Sequence, residues 1–149
     1  MNIKIKKLNK EAVIPSYAKP GDAGMDLTAI EASWDGPEVT YHTGLAIEIP
    51  EGYVGLLFPR SSVYKTGQSL TNCVGVIDSG YRGEIMLKFR RSLHILSPDQ
   101  RLYQKYKEYN VGDRVGQLVI IPFPYIELEE VEELNDSLRG SGGYGSTGT

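Results

Sequence analysis

Residues 75–89 read Gly-Val-Ile-Asp-Ser-Gly-Tyr-Arg-Gly-Glu-Ile-Met-Leu-Lys-Phe, and this stretch decides the fold class. An apolar run comes first, a turn with two glycines follows, and Ile85, Leu87 and Phe89 then alternate with Met86 and Lys88. Alternation with a period of two places one set of side chains on the buried face of a β-strand. The stretch therefore predicts two strands joined by a tight turn.

Similar short runs, separated by glycine and proline, occur along most of the chain. Leu45, Ile47 and Ile49 alternate with more polar neighbours, and 17 glycines and 8 prolines are spread between such segments. This pattern predicts an all-β sandwich or barrel. More continuously apolar runs, typical of strands covered on both faces, lie at residues 53–58, 70–77 and 114–123. Cys73 lies in the second of these runs, so we expect it to be an inert core thiol.

Helical signals are few. A hydroxyl residue at Ser61 and a glycine at Gly67 predict a helix of one or two turns between strands. Ser97, followed by proline and Asp99, predicts the start of a second helix. Apolar residues also occur three apart within the acidic segment 127–136, and its type stays open from the sequence.

Length, charge and cysteine content limit the class of protein. A chain of 149 residues predicts one domain spanning residues 1–149. Its formal net charge of −3 argues against a nucleic-acid-binding protein, and no apolar stretch is long enough to span a membrane. A single cysteine cannot form an intrachain disulfide. We therefore expect a cytoplasmic protein without nucleic-acid or membrane partners.

Three segments have the composition of anion sites. Residues 60–62 place a guanidinium and two hydroxyls where a short helix begins, and residues 112–117 form a donor-rich turn into a strand. The glycine-rich terminus 139–149 begins with Arg139 and has a backbone able to wrap phosphate oxygens. The Walker sequence is absent, which excludes a P-loop ATPase. A polyphosphate is the kind of ligand that several such segments fit.

Asp78 follows the apolar run of the opening stretch. A carboxylate at the end of a strand, beside apolar residues, is able to orient and deprotonate a water molecule. Asp-Ser-Gly is also a common turn sequence. The residues alone leave both interpretations open.

Five segments, in this order and spacing, resemble the five motifs of the trimeric dUTP diphosphatases (dUTPases). The resemblance implies an eight-stranded jelly roll of the β-clip type that assembles as a homotrimer with active sites at the subunit interfaces. It also implies a flexible glycine-rich C-terminal arm, here residues 136–149. The motif segments are AGMDLTA at 23–29, PRSSVYKTG at 59–67, GVIDSGYRGEI at 75–85, GDRVGQLVI at 112–120 and RGSGGYGSTG at 139–148.

The resemblance further implies hydrolysis of dUTP to dUMP and pyrophosphate, which keeps uracil out of DNA and supplies dUMP for thymidylate synthesis. Asp78 then activates the water that attacks the α-phosphorus, and Tyr81 lies beneath the deoxyribose. The cofactor is Mg²⁺, held by triphosphate oxygens and waters without a direct protein ligand. Asp26 is either structural or close to the metal without contacting it.

The remaining implied contacts belong to the substrate. Tyr144 occupies the position where the family usually has a phenylalanine stacked on uracil, and its ring presents the same face. The uracil edge is read by Asn72 and the strand residues Gly75, Val76 and Ile77. The phosphates and the closing arm involve Arg60, Ser61, Ser62, Gln117, Arg139, Gly143, Gly145, Ser146 and Thr147.

Residues 90–110 form an insertion that is longer than the hairpin between the third and fourth motifs of the family. It mixes basic and aromatic side chains, which suit either a solvated surface loop or a site for a protein partner. Two alternative functions stay open on the same fold. One is a dCTP deaminase, and the other is a nucleotide-dependent regulatory module that binds a protein through this insertion.

Overall fold

The computed structural model describes residues 1–91 and 106–143. All strand pairs in this part of the chain are antiparallel, which confirms the all-β class. The described residues form ten strands, whereas the resemblance implied eight. The strands are β1 (Lys4–Lys7), β2 (Met25–Thr28), β3 (Glu31–Asp35), β4 (Glu38–His42), β5 (Leu45–Glu48), β6 (Tyr53–Pro59), β7 (Gln68–Leu70), β8 (Gly75–Ile77), β9 (Met86–Arg91) and β10 (Arg114–Pro122).

Two four-stranded sheets enclose the main core, and β1 pairs with β5 in a small third sheet. The strand orders of the larger sheets are β2-β10-β6-β8 and β3-β4-β9-β7. Leu57 and Leu118 from the first sheet and Phe89 from the second belong to one buried cluster. At Gly116 a methyl group would lie 2.3 Å from the Leu87 side chain, so only glycine lets β10 approach β9 this closely.

The apolar run 70–77 is two strands in different sheets, and the expectation of one strand was wrong. The chain turns between β7 and β8, and Cys73 has a φ of 59°. Its amide donates to the carbonyl of Leu70 at 3.2 Å. Cys73 is exposed, so the expected core thiol was also wrong. A run of apolar residues does not show which residue adopts a left-handed turn conformation. In the sequence, the polar residues Thr71 and Asn72 were the signal for this turn.

The short helix is confirmed as a 3-10 helix over Ser61–Lys65, and Gly67 follows it with a φ of 63°. The expected hydroxyl cap was wrong, because Arg60 is the N-cap and makes no side-chain capping bond. The helix expected from Ser97 lies outside the described residues. Residues 127–136 form neither helix nor strand. A ten-residue helix without a packing surface is marginal in water, and Leu128 is 93% exposed here.

An aromatic cluster anchors the described end of the insertion. The rings of Tyr41, Phe89 and Tyr109 meet edge to face at centroid distances of 5.7–6.0 Å. Burial raises the pKa of the Tyr41 phenol, whose hydroxyl donates to the Tyr109 carbonyl at 3.2 Å. Arg91 forms a two-bond ion pair with Glu108. These contacts hold residues 106–110 against β4 and β9.

Over the described ranges, the chain has no helix of the length and apolarity that crossing a membrane requires.

Candidate active site

A polar cleft lies where β2, β10 and β6 run side by side. Gln117 on β10 is paired with Asp26 on β2 and with Phe58 on β6, so both neighbours flank it directly. Arg60 follows the end of β6. The cleft has a volume of about 430 Å³. Its lining residues are Ala18, Asp22, Ala23, Gly24, Asp26, Phe58, Arg60, Ser61, Arg114, Gln117 and Val119.

Asp26 holds two arginines at this cleft. The Arg60 Nε donates to Asp26 Oδ1 at 2.7 Å, and the Arg114 Nη1 donates to Asp26 Oδ2 at 2.8 Å. Two guanidinium groups therefore share one carboxylate, and Asp22 is the second acidic side chain of the cleft lining. Both carboxylate oxygens are occupied by arginine. Of the two interpretations of Asp26, this geometry favours a structural one.

Gln117 is positioned by its backbone surroundings. Its Nε2 donates to the Pro59 carbonyl at 3.2 Å. Gly24 makes room for this amide, because a methyl group there would lie 2.4 Å from the Gln117 Oε1. The backbone of Gly24 has no positive φ, so the glycine is favoured here by the space it leaves for the Gln117 side chain and not by conformation. Ser61 lines the same cleft, whereas Ser62 lines a neighbouring pocket.

Arg114 is a site residue that the sequence interpretation missed. The residue was noted only as part of a donor-rich turn, without a role of its own. Its ion pair with Asp26 joins positions 88 residues apart in the sequence. No local spacing connects them, because the pairing depends on the register between β10 and β2. The one feature of the sequence that could have indicated a role for Arg114 was its position close to Gln117 in the same segment.

The turn after β8 carries Asp78 and Tyr81. The Tyr81 amide donates to the Asp78 carbonyl at 3.1 Å, and the Tyr81 hydroxyl donates to the Glu84 carbonyl at 2.9 Å. Arg82 Nη1 donates to the carbonyls of Ser79 and Tyr81. These bonds define the turn. The exposed Asp78 carboxylate has no ion pair or side-chain hydrogen bond within residues 1–91 and 106–143.

β8 offers an unused strand edge beside this turn. It is the last strand of its sheet and pairs only with β6 among the described strands. Backbone amides and carbonyls on the outer side of such a strand are open to a ligand. Val76 is 61% exposed there, and Asn72 lies in the turn just before β8. β8 and the turns on either side of it therefore form one exposed surface that offers both polar and apolar groups.

One chain does not bring Asp78 to the arginine cleft. Ile77 is paired with Gly55 on β6, so Asp78 is level with Val54, whereas Arg60 lies beyond the opposite end of β6. Six residues of extended chain span about 20 Å. The structure thus places Arg60, Ser61 and Gln117 at the cleft, and Asp78 with Tyr81 in the turn after β8. Gly75, Val76 and Ile77 form β8, and Asn72 lies in the turn at the other end of this strand.

The described part of the C-terminal arm ends at Gly143. Arg139 is exposed and its Nε donates to the Gly142 carbonyl at 3.0 Å within a turn. The expected contact residues Tyr144, Gly145, Ser146 and Thr147 lie outside the described residues. Searching the described residues finds no group of three acidic, histidine or cysteine side chains able to hold a metal ion.

The fold and the cleft define an all-β protein of antiparallel sheets with a preformed polar cleft that holds two arginines. A family model described as dUTPase matches residues 10–148, and the chain belongs to the dUTPase family. A deoxyuridine 5'-triphosphate nucleotidohydrolase of Corynebacterium glutamicum is 43% identical over 98% of this chain and 94% of its own.

Solved structures agree with this assignment. A mutant dUTPase of Staphylococcus bacteriophage 80alpha, solved with dUpNHpp, has a TM-score of 0.82 and 30% identity, and the match covers 99% of both chains. A mutant dUTPase from phage phi11 of S. aureus, described with a structural Mg(II) ion, has a TM-score of 0.73 and 28% identity. It covers 89% of this chain and 98% of its own. Neither the deaminase nor the regulatory alternative is favoured by these comparisons.

Proposed function

We propose that this protein hydrolyses dUTP to dUMP and pyrophosphate as a homotrimer in the cytoplasm. Membership of the dUTPase family supports the reaction. The observation that carries the proposal is the Asp26-anchored pair of arginines, which provides a ready site for a polyphosphate. The reaction supplies dUMP for thymidylate synthesis and removes a precursor of uracil in DNA.

The triphosphate binds in the cleft of Arg60, Arg114, Ser61 and Gln117. Guanidinium groups make short charge-assisted hydrogen bonds to phosphate oxygens, and their fixed positions reduce the entropy lost on binding. Asp26 holds both arginines in place before the substrate arrives. Ser62, on the neighbouring side of the 3-10 helix, contacts the outer phosphates.

The site is completed by other copies of the chain. Asp78 and Arg60 lie at opposite ends of β6, so a nucleotide about 10–15 Å long cannot reach both within one chain. A closed trimer brings the Asp78 turn of one copy to the cleft of the next. Arg139 and the arm residues Gly143, Tyr144, Gly145, Ser146 and Thr147 then close over the nucleotide.

Uracil is recognised by the open edge of β8. A backbone amide facing O4 and a carbonyl facing N3–H pair with uracil, with Asn72 and the strand Gly75–Ile77 supplying the groups. Cytosine has donor and acceptor reversed, which leaves two buried groups unpaired at roughly 1–3 kcal/mol each. Tyr81 lies beneath the deoxyribose, and its bond to the Glu84 carbonyl holds the ring where a ribose 2′-hydroxyl would collide.

Asp78 orients the attacking water. Its carboxylate is free of ion pairs within the described residues, so its oxygens are available to accept from that water. A carboxylate is a weak base at neutral pH, and therefore positioning and the surrounding cations lower the barrier more than proton transfer does.

The residues fit a Mg²⁺ that binds together with the triphosphate. Asp26 has both oxygens engaged by arginines, Asp22 is the other carboxylate of the cleft lining, and Arg60, Ser61, Arg114 and Gln117 offer donors for phosphate oxygens. The metal would be held by phosphate oxygens and waters, with Asp78 as the free carboxylate nearby. When bound, Mg²⁺ neutralises charge that develops on the phosphates.

The test is pyrophosphate release from dUTP, dCTP, dTTP and UTP under identical conditions with Mg²⁺. We expect turnover of dUTP to exceed that of each other nucleotide by at least about tenfold, because each mismatch leaves an unpaired group or a steric conflict. Equal rates on all four nucleotides would contradict the proposal. Ammonia release from dCTP would instead indicate a deaminase.

A further inference from the structure

A second pocket adjoins the arginine cleft. It has a volume of about 320 Å³ and shares Arg60 and Arg114 with the cleft, so the two guanidinium groups lie between the two spaces. The 3-10 helix and residues 107–109 form its other walls. Its lining residues are Arg60, Ser62, Lys65, Thr66, Lys107, Glu108, Tyr109, Asp113 and Arg114.

The charge of this pocket is not balanced by its own acids. Four cationic and two acidic side chains line it. Glu108 is engaged in the two-bond ion pair with Arg91, outside the pocket lining. Asp113 accepts a hydrogen bond from the Asn110 amide at 2.7 Å, which fixes its carboxylate in a turn.

Lys65 and Lys107 are the cations that remain unneutralised. Neither ammonium group has a carboxylate partner in the part of the chain that the structure describes. The Lys107 amide donates to the Lys65 carbonyl at 3.1 Å, so the two backbones are joined at the pocket. The aromatic cluster around Tyr109 and the Arg91–Glu108 ion pair hold the Lys107 segment in place.

The geometry points to a product site: Lys65 and Lys107, with Arg60, Arg114 and Ser62, hold inorganic pyrophosphate after it leaves the reaction cleft. This inference rests on the proposed hydrolysis of dUTP. Pyrophosphate concentrates several negative charges on a small anion, and it is therefore attracted by the Lys65 and Lys107 ammonium groups, which have no carboxylate partner in the described residues. The shared arginines provide a continuous row of donors from the cleft to the pocket.

The direct test is calorimetric titration of the full-length protein with pyrophosphate, first without divalent metal and then with Mg²⁺. We expect Lys65→Gln together with Lys107→Gln to raise the Kd of pyrophosphate by about tenfold, because two charge-assisted contacts are lost. Lys65→Arg and Lys107→Arg keep the charge and should keep binding within about threefold. Lys10→Gln is the matched control, since Lys10 is an exposed lysine outside this pocket.

A kinetic comparison separates a product site from a substrate contact. In the double variant, the ratio of the inhibition constant of pyrophosphate to the KM for dUTP should rise by about tenfold. An equal rise of both constants would overturn the inference, because the lysines would then act on the substrate phosphates. An unchanged Kd in the double variant would overturn it as well. The calorimetric titration needs no turnover, so it decides this inference even if dUTP hydrolysis is not found.

Discussion

The arginine cleft and the Asp78 turn are built in opposite ways. In the cleft, the charged side chains satisfy one another: Arg60 and Arg114 both bind Asp26 within one chain. In the turn, the backbone is hydrogen-bonded but the Asp78 carboxylate has no partner in the described residues. In the proposed mechanism, the cleft binds phosphate and the turn offers its carboxylate to a substrate held by another copy of the chain. The proposed binding residues and the proposed catalytic acid are thus separated within one chain.

The largest expected effect comes from removing the acid of the turn. Asp78→Asn keeps the shape of the side chain but weakens its ability to orient and deprotonate water, so we expect kcat to fall by about 10³-fold. Binding of a non-hydrolysable dUTP analogue should stay within about threefold. Steady-state kinetics and calorimetry measure the two quantities. Ser79→Ala, in the same turn, is the control, and unchanged kcat in Asp78→Asn would contradict the role of the carboxylate.

Mixing two inactive chains tests whether the two regions meet across subunits. Asp78→Asn and Arg60→Ala chains, co-expressed in equal amounts, should recover about a quarter of normal activity, since that share of interface sites holds both native residues. Each variant expressed alone should stay inactive. The measurement is dUTP turnover by the purified mixed trimers. No recovery, with mixed trimers demonstrated by two affinity tags, would show that each site lies within one chain.

Removing the charge of Asp26 should lower activity less than removing the charge of Asp78, but more than changing a neighbouring residue of the cleft. Asp26→Asn removes the charge that holds Arg60 and Arg114, so we expect kcat/KM for dUTP to fall by about 10–100-fold. The effect should be mostly on KM. Asp22→Asn is a matched control, because Asp22 lines the same cleft and, among the described residues, accepts from the Lys19 amide without binding either arginine. Equal losses in the two variants would contradict the anchoring role.

Gly24→Ala should have the smallest effect of these changes. The added methyl group collides with the Gln117 amide, and the end of that side chain has to move, so KM for dUTP should rise by about threefold. In a Gln117→Ala background the same change should have almost no effect, because the colliding atoms are absent. A double-mutant cycle in KM measures this coupling, and additive effects would contradict the explanation.

Much of the fold was predictable because strand and turn signals are local. The alternation at Ile85, Leu87 and Phe89 identified the buried face of β9, and Gly67 identified the end of the 3-10 helix. Cys73 was wrongly expected in the core because the prediction used only local signals. An apolar run does not show at which residue the strand ends and the turn begins. The segment 127–136 shows that a periodic pattern without a packing surface forms no helix.

The sequence by itself determined the all-β class and the order of the motif segments, and it predicted which residues contact phosphate. Only the tertiary structure decided that Asp26 joins Arg60 to Arg114, and that Asp78 and Arg60 lie at opposite ends of β6. The physical reason is that the local pattern of apolar and polar residues shows which face of each strand is buried. The register between strands depends on packing between residues far apart in the chain, and that register places the charges.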